Sequence, residues 1–162
     1  MRISRLALSL TAIGAAALLS SCSLIGGQNN TTPRDPTSSI TASQTIDAFS
    51  VQLGDCLDLP QDGTFSDLTV VGCNQAHDSE ITNVFDMPDG TFSQDDIDTA
   101  GNQCEAAAQS YVGPNYQTLG LDWNYFSPTS DSWAQGDREI DCLVYTLSGN
   151  PDLTSSVKGQ GN

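Results

Sequence analysis

Basic side chains are scarce in this 162-residue sequence, which has 5 Lys and Arg against 20 Asp and Glu and a formal charge of -15 at pH 7. Nucleic-acid binding requires clustered Lys and Arg that neutralise phosphates, so this balance excludes a nucleic-acid-binding protein. The same acidity disfavours electrostatic docking on anionic lipid. The length allows one domain with a tail and argues against two full domains.

Catalytic motifs are missing as well. The chain has a single histidine, His77, so a Ser or Cys nucleophile has only one possible base. Neither a G-x-S-x-G elbow nor a Gly-rich phosphate loop occurs. A carboxylate pair could serve a glycosidase, but among 20 acidic residues such a pair is weak evidence. The sequence therefore predicts a protein that is not an enzyme and has no cofactor. The alternative is a cell-wall-modifying hydrolase that uses a carboxylate pair, or His77 with a carboxylate.

Long hydrophobic runs are absent except near the start of the chain. Residues 6–19 are apolar apart from Ser9 and Thr11, and they follow Arg2 and Arg5. A helix needs roughly 20 apolar residues to span a bilayer, so this run is too short for a membrane anchor. A basic start followed by a short apolar core is typical of a secretory signal peptide, here residues 1–21.

The signal ends in a motif that indicates lipidation. Leu19-Ser20-Ser21-Cys22 resembles the bacterial lipobox. In proteins that bear this motif, the Cys thiol is joined to diacylglycerol and cleavage makes that Cys the new N-terminus. Two or more acyl chains anchor a protein stably. The sequence predicts an extracytoplasmic lipoprotein that is held by Cys22 at the outer face of the cell membrane.

The remainder divides by composition into a tether, a domain and a tail. Residues 22–48 are rich in Ser, Thr, Asn, Gln, Gly and Pro, and they lack the apolar content needed to offset the entropy of ordering. We expect a flexible tether there, a folded domain over residues 49–147, and a disordered tail over residues 148–162.

Five segments have the pattern of strands, and one has the pattern of a helix. The strands are predicted at residues 51–59, 68–71, 80–87, 121–126 and 139–147, with Ile81, Phe85 and Met87 on one face. Residues 93–111 are predicted as a helix with Ser93 as its N-cap. Together these elements predict an α+β fold, in which one main helix packs across a small antiparallel sheet.

Apart from Cys22, the chain has four cysteines. An even number in an exported domain indicates two disulfides. Cys104 lies on the apolar stripe of the helix and Cys142 on one face of the last strand, so a bond between them would join helix to sheet. That leaves Cys56 to pair with Cys73. The rival interpretation is a zinc site, because Cys73 and His77 have a ligand-like spacing and Cys56 could add a thiolate. With one His and no C-x-x-C pair, we favour disulfides and predict no metal; a metal-binding lipoprotein remains an alternative function.

Two polar segments form a candidate recognition patch. One contains His77 and Glu80, and the other contains Trp133, Asp137 and Arg138. A polar patch with an aromatic anchor could bind a partner. We favour a structural role, in which Arg138 pairs with a nearby carboxylate, His77 hydrogen-bonds a loop and Trp133 fills the edge of the core.

These residues also carry a family resemblance. They are Gly54-Asp55-Cys56-Leu57, Cys73, His77-Asp78, Glu80, Cys104-Glu105-Ala106-Ala107, Tyr111-Val112-Gly113, Pro128, Trp133, Gly136-Asp137-Arg138 and Cys142-Leu143. With these positions, the sequence resembles the septum-formation domain of actinobacterial secreted or membrane-anchored proteins over about residues 53–145. The resemblance implies a small, disulfide-bonded, extracytoplasmic module of the cell envelope that is non-enzymatic and linked to cell division. From the lipobox, the tether, the disulfides and the missing catalytic motifs, we expect an envelope protein or wall component as its partner.

Overall fold

The structure is a computed structural model that describes residues 43–47, 50–59 and 67–162. The predicted signal peptide, Cys22 and most of the predicted tether lie outside these residues. Among the residues that the structure describes, none of the helices has the length and apolar character needed to span a bilayer.

The described residues form six strands, three α-helices and one 3-10 helix. The strands are β1 (Gln44–Asp47), β2 (Cys56–Asp58), β3 (Asp67–Val71), β4 (Ser79–Asp86), β5 (Leu121–Phe126) and β6 (Glu139–Thr146). The α-helices are α1 (Gln94–Gly101), α2 (Cys104–Tyr111) and α3 (Ser130–Ala134), and the 3-10 helix spans Tyr116–Leu119.

The strands form one antiparallel sheet in the order β1-β3-β2-β4-β6-β5. The α1–α2 unit packs across one face of this sheet, so the predicted α+β fold is confirmed. Strand β6 lies between β4 and β5, and its residues 140–144 are all buried. Burial of consecutive residues explains why this strand is apolar on both faces.

The main helix has a tight turn in its middle that the sequence pattern did not predict. Ser93 caps its start, since the Ser93 hydroxyl accepts the main-chain N–H of Asp96. At the junction, the N–H of Gln103 donates to Ala100 O at 3.0 Å, which is a 3-10 bond. Gly101 lies there against the Tyr125 ring, where an added Cβ would come within 2.3 Å of the ring. A Cβ at this turn would therefore force the Tyr125 ring to move, which favours glycine here.

Strand β4 contains a β-bulge, so its side chains do not all point to the faces that the sequence pattern predicts. The pairing shifts between Ile81 and Asn83, so Ile81 lies opposite Leu143 whereas Phe85 lies opposite Ile140. Since Leu143 and Ile140 point to opposite faces of β6, Ile81 and Phe85 do as well. The prediction that Ile81 shares a face with Phe85 and Met87 is therefore wrong, because it assumed an uninterrupted period of two.

The bulge divides the apolar side chains between two faces. Under the helices, Ile97, Ala100 and Cys104 pack against Ile140 and Cys142. The core on the opposite face consists of Val51, Leu57, Leu68, Val70, Ile81 and Leu143. A third cluster, at the end of α2, contains Ala108, Val112, Tyr116, Leu121, Val144 and Val157.

Both predicted disulfides are confirmed. Cys104 and Cys142 have Cα atoms 5.1 Å apart and join α2 to β6. Cys56 and Cys73 have Cα atoms 5.3 Å apart and join β2 to the loop after β3. Each bridge therefore joins two segments that are distant from each other in the sequence.

The structure corrects the predicted ends of the domain. Gln44–Asp47 lie in the predicted tether but form β1, which pairs with β3. Val51 and Gln52 have no regular secondary structure, a turn follows at Leu53 and Gly54, and β2 begins at Cys56. The predicted disordered tail packs on the domain: Leu153 exchanges two main-chain hydrogen bonds with His77, and Val157 is 2% exposed. Its polar composition concealed these contacts, since they are made largely by the main chain.

Candidate functional site

A buried carboxylate lies under the C-terminal segment. Antiparallel pairing places Glu80 of β4 opposite Cys56 of β2, and both residues are fully buried. Glu80 Oε1 accepts the hydroxyls of Tyr111 and Ser156, each at 2.6 Å, and Oε2 accepts the N–H of Val157 at 2.8 Å. Three donors from α2 and the C-terminal segment therefore hold this charge inside the domain.

His77 lies beside this carboxylate and is 1% exposed. Its Nδ1 is 2.7 Å from the main-chain oxygen of Gln75. A carbonyl oxygen can only accept, so Nδ1 carries the proton and Nε2 keeps its lone pair in the neutral ring. Among the described residues, Nε2 is buried and has no hydrogen-bond partner. The loop before β4 thus presents an unused nitrogen lone pair to the interior.

Three possible metal-ligand atoms converge at this point. Cys56 Sγ, a ring nitrogen of His77 and a carboxylate oxygen of Glu80 all lie within 4.8 Å of one another. Cys56 is bonded to Cys73, so its sulfur is not a thiolate in this form. As it stands, the group offers one nitrogen and one carboxylate, which falls short of the three or four ligands of a zinc site.

Tyr111, the last residue of α2, contacts the site from the helix side. Burial, together with its hydrogen bond to Glu80, raises the pKa of Tyr111 far above its ordinary value of 10.0. Its phenol therefore stays protonated and continues to donate to Glu80. On the outer side, Lys158 Nζ lies 5.5 Å from the centroid of the Tyr111 ring, a cation–π contact.

The second half of the predicted patch forms a clasp around Arg138. Its guanidinium carbon lies 3.9 Å from the centroid of the Trp133 ring, and its Nε donates to Asp89 at 3.2 Å. Trp133 is 7% exposed, and its Nε1 donates to Gly90 O at 3.0 Å. Asp137 Oδ1 accepts the N–H of Glu139 at 3.1 Å. These contacts hold α3 against the turn between β4 and α1. They agree with the expectation that Arg138 pairs with a nearby carboxylate and that Trp133 fills the edge of the core.

The structure does not bring the five patch residues together. His77 lies just before β4 and Glu80 at its start, whereas Asp89 and Gly90, which hold Arg138 and Trp133, follow its end. At about 3.3 Å per residue, the eight residues of β4 span roughly 26 Å. The candidate patch is therefore two separate arrangements.

Sequence reasoning missed an acidic cluster beside the clasp. Asp137, Glu139 and Asp141 alternate along the chain, and each has a buried carboxylate oxygen without a hydrogen-bond partner in the described part of the chain. Burial, then repulsion from Glu139 and Asp137, raises the pKa of Asp141 to about 8. Burial and Asp86 raise the pKa of Glu139. The period-two spacing of the three acids was visible in the sequence and could have indicated a shared face.

A groove runs beside the helices. Two adjoining cavities, of about 860 and 740 Å³, share Phe85 and Gln103 as lining residues. The first is lined by Ala106 and Tyr111, among others, with Lys158 at its rim. The second is lined by apolar side chains, namely Phe85, Met87, Phe92 and Trp133, and by three carboxylates, those of Asp86, Asp89 and Asp96. The groove thus combines apolar walls with an acidic end.

Comparison with known proteins identifies the family. The family model described as septum formation matches residues 18–153. The chain belongs to the septum-formation family. The match covers most of the chain and includes both disulfides, the His77 and Glu80 site and the Arg138 clasp. No curated protein and no solved structure gives a significant match.

Proposed function

We propose that this septum-formation protein is a lipid-anchored, extracytoplasmic module of the cell envelope that binds a partner during septum formation and cell division and catalyses no reaction. Family membership supports the process. The two disulfides are typical of an oxidising compartment outside the cytoplasm. The lipobox-like motif that ends at Cys22 supports attachment to the membrane through lipid.

One observation favours binding over catalysis: the residues best suited to chemistry are enclosed by the fold. A general base must reach the proton that it abstracts. His77 is 1% exposed and Glu80 is 0% exposed, and three donors occupy the Glu80 carboxylate. A hydrolase that used His77 with Glu80 would need the C-terminal segment to leave first.

The groove beside the helices is the binding face in this proposal. Its apolar walls suit an apolar side chain of a partner, and its carboxylates suit a basic one. Charge complementarity therefore favours a segment of an envelope protein that carries Lys or Arg next to an apolar anchor.

Deletion of the gene tests the proposed role in septum formation and cell division. We expect septa to be misplaced or delayed by imaging with a wall stain, and the wild-type gene to restore them. Cells that divide and grow normally without the gene would remove the support for a role in septum formation.

Labelling with a fatty-acid analogue tests the anchor separately. The wild-type chain should incorporate label and fractionate with membranes, and the Cys22→Ala chain should do neither. Label uptake by the Cys22→Ala chain at the wild-type level would rule out this lipidation site.

A further inference from the structure

We propose that reduction of the Cys56–Cys73 disulfide opens a buried zinc site, whose four ligands are Cys56, Cys73, His77 and Glu80. The ligand atoms of Cys56, His77 and Glu80 already lie within 4.8 Å of one another. Cys73 Sγ is bonded to Cys56 Sγ, so the fourth donor lies one bond away. In the disulfide, neither sulfur can bind a metal as a thiolate. Reduction converts both into thiols, which can lose their protons and bind the metal as thiolates.

When neutral, the histidine has the tautomer that a metal ligand requires. A histidine that binds a metal usually donates its other ring N–H to a carbonyl or carboxylate, which fixes the tautomer and the orientation of the ring. His77 Nδ1 has this partner in Gln75 O at 2.7 Å. Its Nε2 is buried and has no hydrogen-bond partner among the described residues.

Glu80 has the supporting contacts of a metal-binding carboxylate. Tyr111 and Ser156 both donate to Oε1, and Val157 donates to Oε2. A carboxylate has about four acceptor positions, two on each oxygen, so Oε2 keeps one for a metal. The same three donors hold the carboxylate in place, with one oxygen within 4.8 Å of a ring nitrogen of His77.

Two thiolates, one imidazole and one carboxylate form a set that suits Zn²⁺, which binds S, N and O ligands in a tetrahedron. The second disulfide provides an internal contrast. Cys104 and Cys142 are enclosed by apolar side chains such as Ile97 and Ile140. Among the described residues, neither Cys104 nor Cys142 belongs to a group of three or more possible metal ligands, so reduction of that bridge should not create a comparable site.

The two forms interconvert by thiol–disulfide exchange. A dithiol reductant breaks the Cys56–Cys73 bond and becomes a disulfide itself, and Zn²⁺ then displaces the two thiol protons. In the reverse direction, the two thiolates give an electron pair to a protein disulfide. The Cys56–Cys73 bond forms, the disulfide of the accepting protein is reduced to two thiolates, and Zn²⁺ is released.

The test uses the full chain, a phosphine reductant and Co²⁺ as a spectroscopic substitute for Zn²⁺. We expect one Co²⁺ per reduced chain, with a thiolate charge-transfer band and the visible bands of a tetrahedral site, and no such bands in the oxidised chain. The control is the Cys104→Ser/Cys142→Ser double variant, which should still bind Co²⁺ after reduction.

Two variants separate a metal site from a structural cluster. His77→Ala should abolish the tetrahedral spectrum. Tyr111→Phe removes only one hydrogen bond to Glu80 and should weaken binding by about 10–100-fold. The proposal is overturned if the reduced wild-type chain binds no Co²⁺, a result that does not depend on whether a variant folds. It is also overturned if Tyr111→Phe and His77→Ala both bind with wild-type affinity.

Discussion

The carboxylate of Glu80 accepts the main-chain N–H of Val157 at 2.8 Å, across 77 positions of the chain. Val157 is 2% exposed and packs in the cluster that contains Ala108, Val112 and Tyr116. The C-terminal segment is thereby part of the core and covers the site that contains His77. The Glu80 carboxylate adds one buried, charge-assisted contact to the main-chain hydrogen bonds that attach this segment.

Glu80→Ala should destabilise the domain strongly, because it leaves buried donors, Val157 N–H among them, without their acceptor. We expect the free energy of unfolding, measured in urea, to fall by about 3–5 kcal/mol. Glu105→Ala, an exposed change on α2, should cost less than about 0.5 kcal/mol. Hydrogen exchange at Val157 should become faster only in the Glu80 variant. Equal stability of the two variants would contradict this role.

The two disulfides should contribute unequally to stability. The chain-entropy relation gives about 4 kcal/mol for the Cys104–Cys142 bridge and about 3 kcal/mol for the Cys56–Cys73 bridge, because the first closes a loop of 38 residues and the second one of 17. Paired Cys→Ala variants of each bridge, compared by chemical unfolding, measure the difference. A cost below about 1 kcal/mol for either pair would show that the bridge is not an important constraint on the unfolded chain.

Gly101→Ala should be destabilising although it adds a good helix former. The new methyl group would meet the Tyr125 ring, 2.3 Å from the ideal Cβ position, and would force β5 and the helix apart. We expect a loss of about 1–3 kcal/mol in thermal or chemical unfolding. The matched control is Gly90→Ala, where nothing lies within 4 Å of the added Cβ. If Gly101→Ala is as stable as the control, the close contact with Tyr125 does not constrain the helix.

Asp141 should make the domain less stable as the pH rises. Burial, then repulsion from Glu139, raises its pKa from 3.8 to about 8, and Asp137 and Asp86 act in the same direction. The unfolded chain ionises near the ordinary value, so between about pH 4 and pH 8 unfolding releases a proton and the folded state loses stability.

The isosteric variant Asp141→Asn tests this pH dependence. It should stabilise the domain by about 2–5 kcal/mol at pH 8, and the gain should shrink towards pH 4. Asp131→Asn, an exposed change in α3, controls for the loss of one charge. A gain that is the same at both pH values would show that Asp141 does not titrate between them.

Local patterns in the sequence predicted the elements but not the contacts between distant segments. The period of Leu121–Phe126 and the cap at Ser93 are properties of neighbouring residues, so β5 and the start of α1 matched their predictions. The cysteines added long-range information, because compartment and helical face limited their pairing.

The misses follow from interactions that composition does not reveal. The main-chain bridge between His77 and Leu153 and the N–H donated by Val157 order a polar segment without an apolar pattern. The bulge after Ile81 changes the face of every later residue of β4, and no local signal marked it. For the same reason, the sequence identified His77 and Glu80 as unusual but could not place them under the C-terminal segment.

The central claim, binding through the groove during septum formation, is tested most directly by one substitution on its wall. Ala106 is exposed on α2 and lines the larger cavity, whereas the exposed Gln109 lies outside the lining of both cavities. Full chains with Ala106→Arg or Gln109→Arg would replace the wild-type chain in cells. Septum placement and crosslinked partners would then be measured at equal protein level.

We predict that Gln109→Arg restores normal septa and recovers the same crosslinked envelope partner as the wild-type chain, and that Ala106→Arg does neither. An Ala106→Arg chain that is folded and membrane-associated, restores septa and retains that partner would contradict the account.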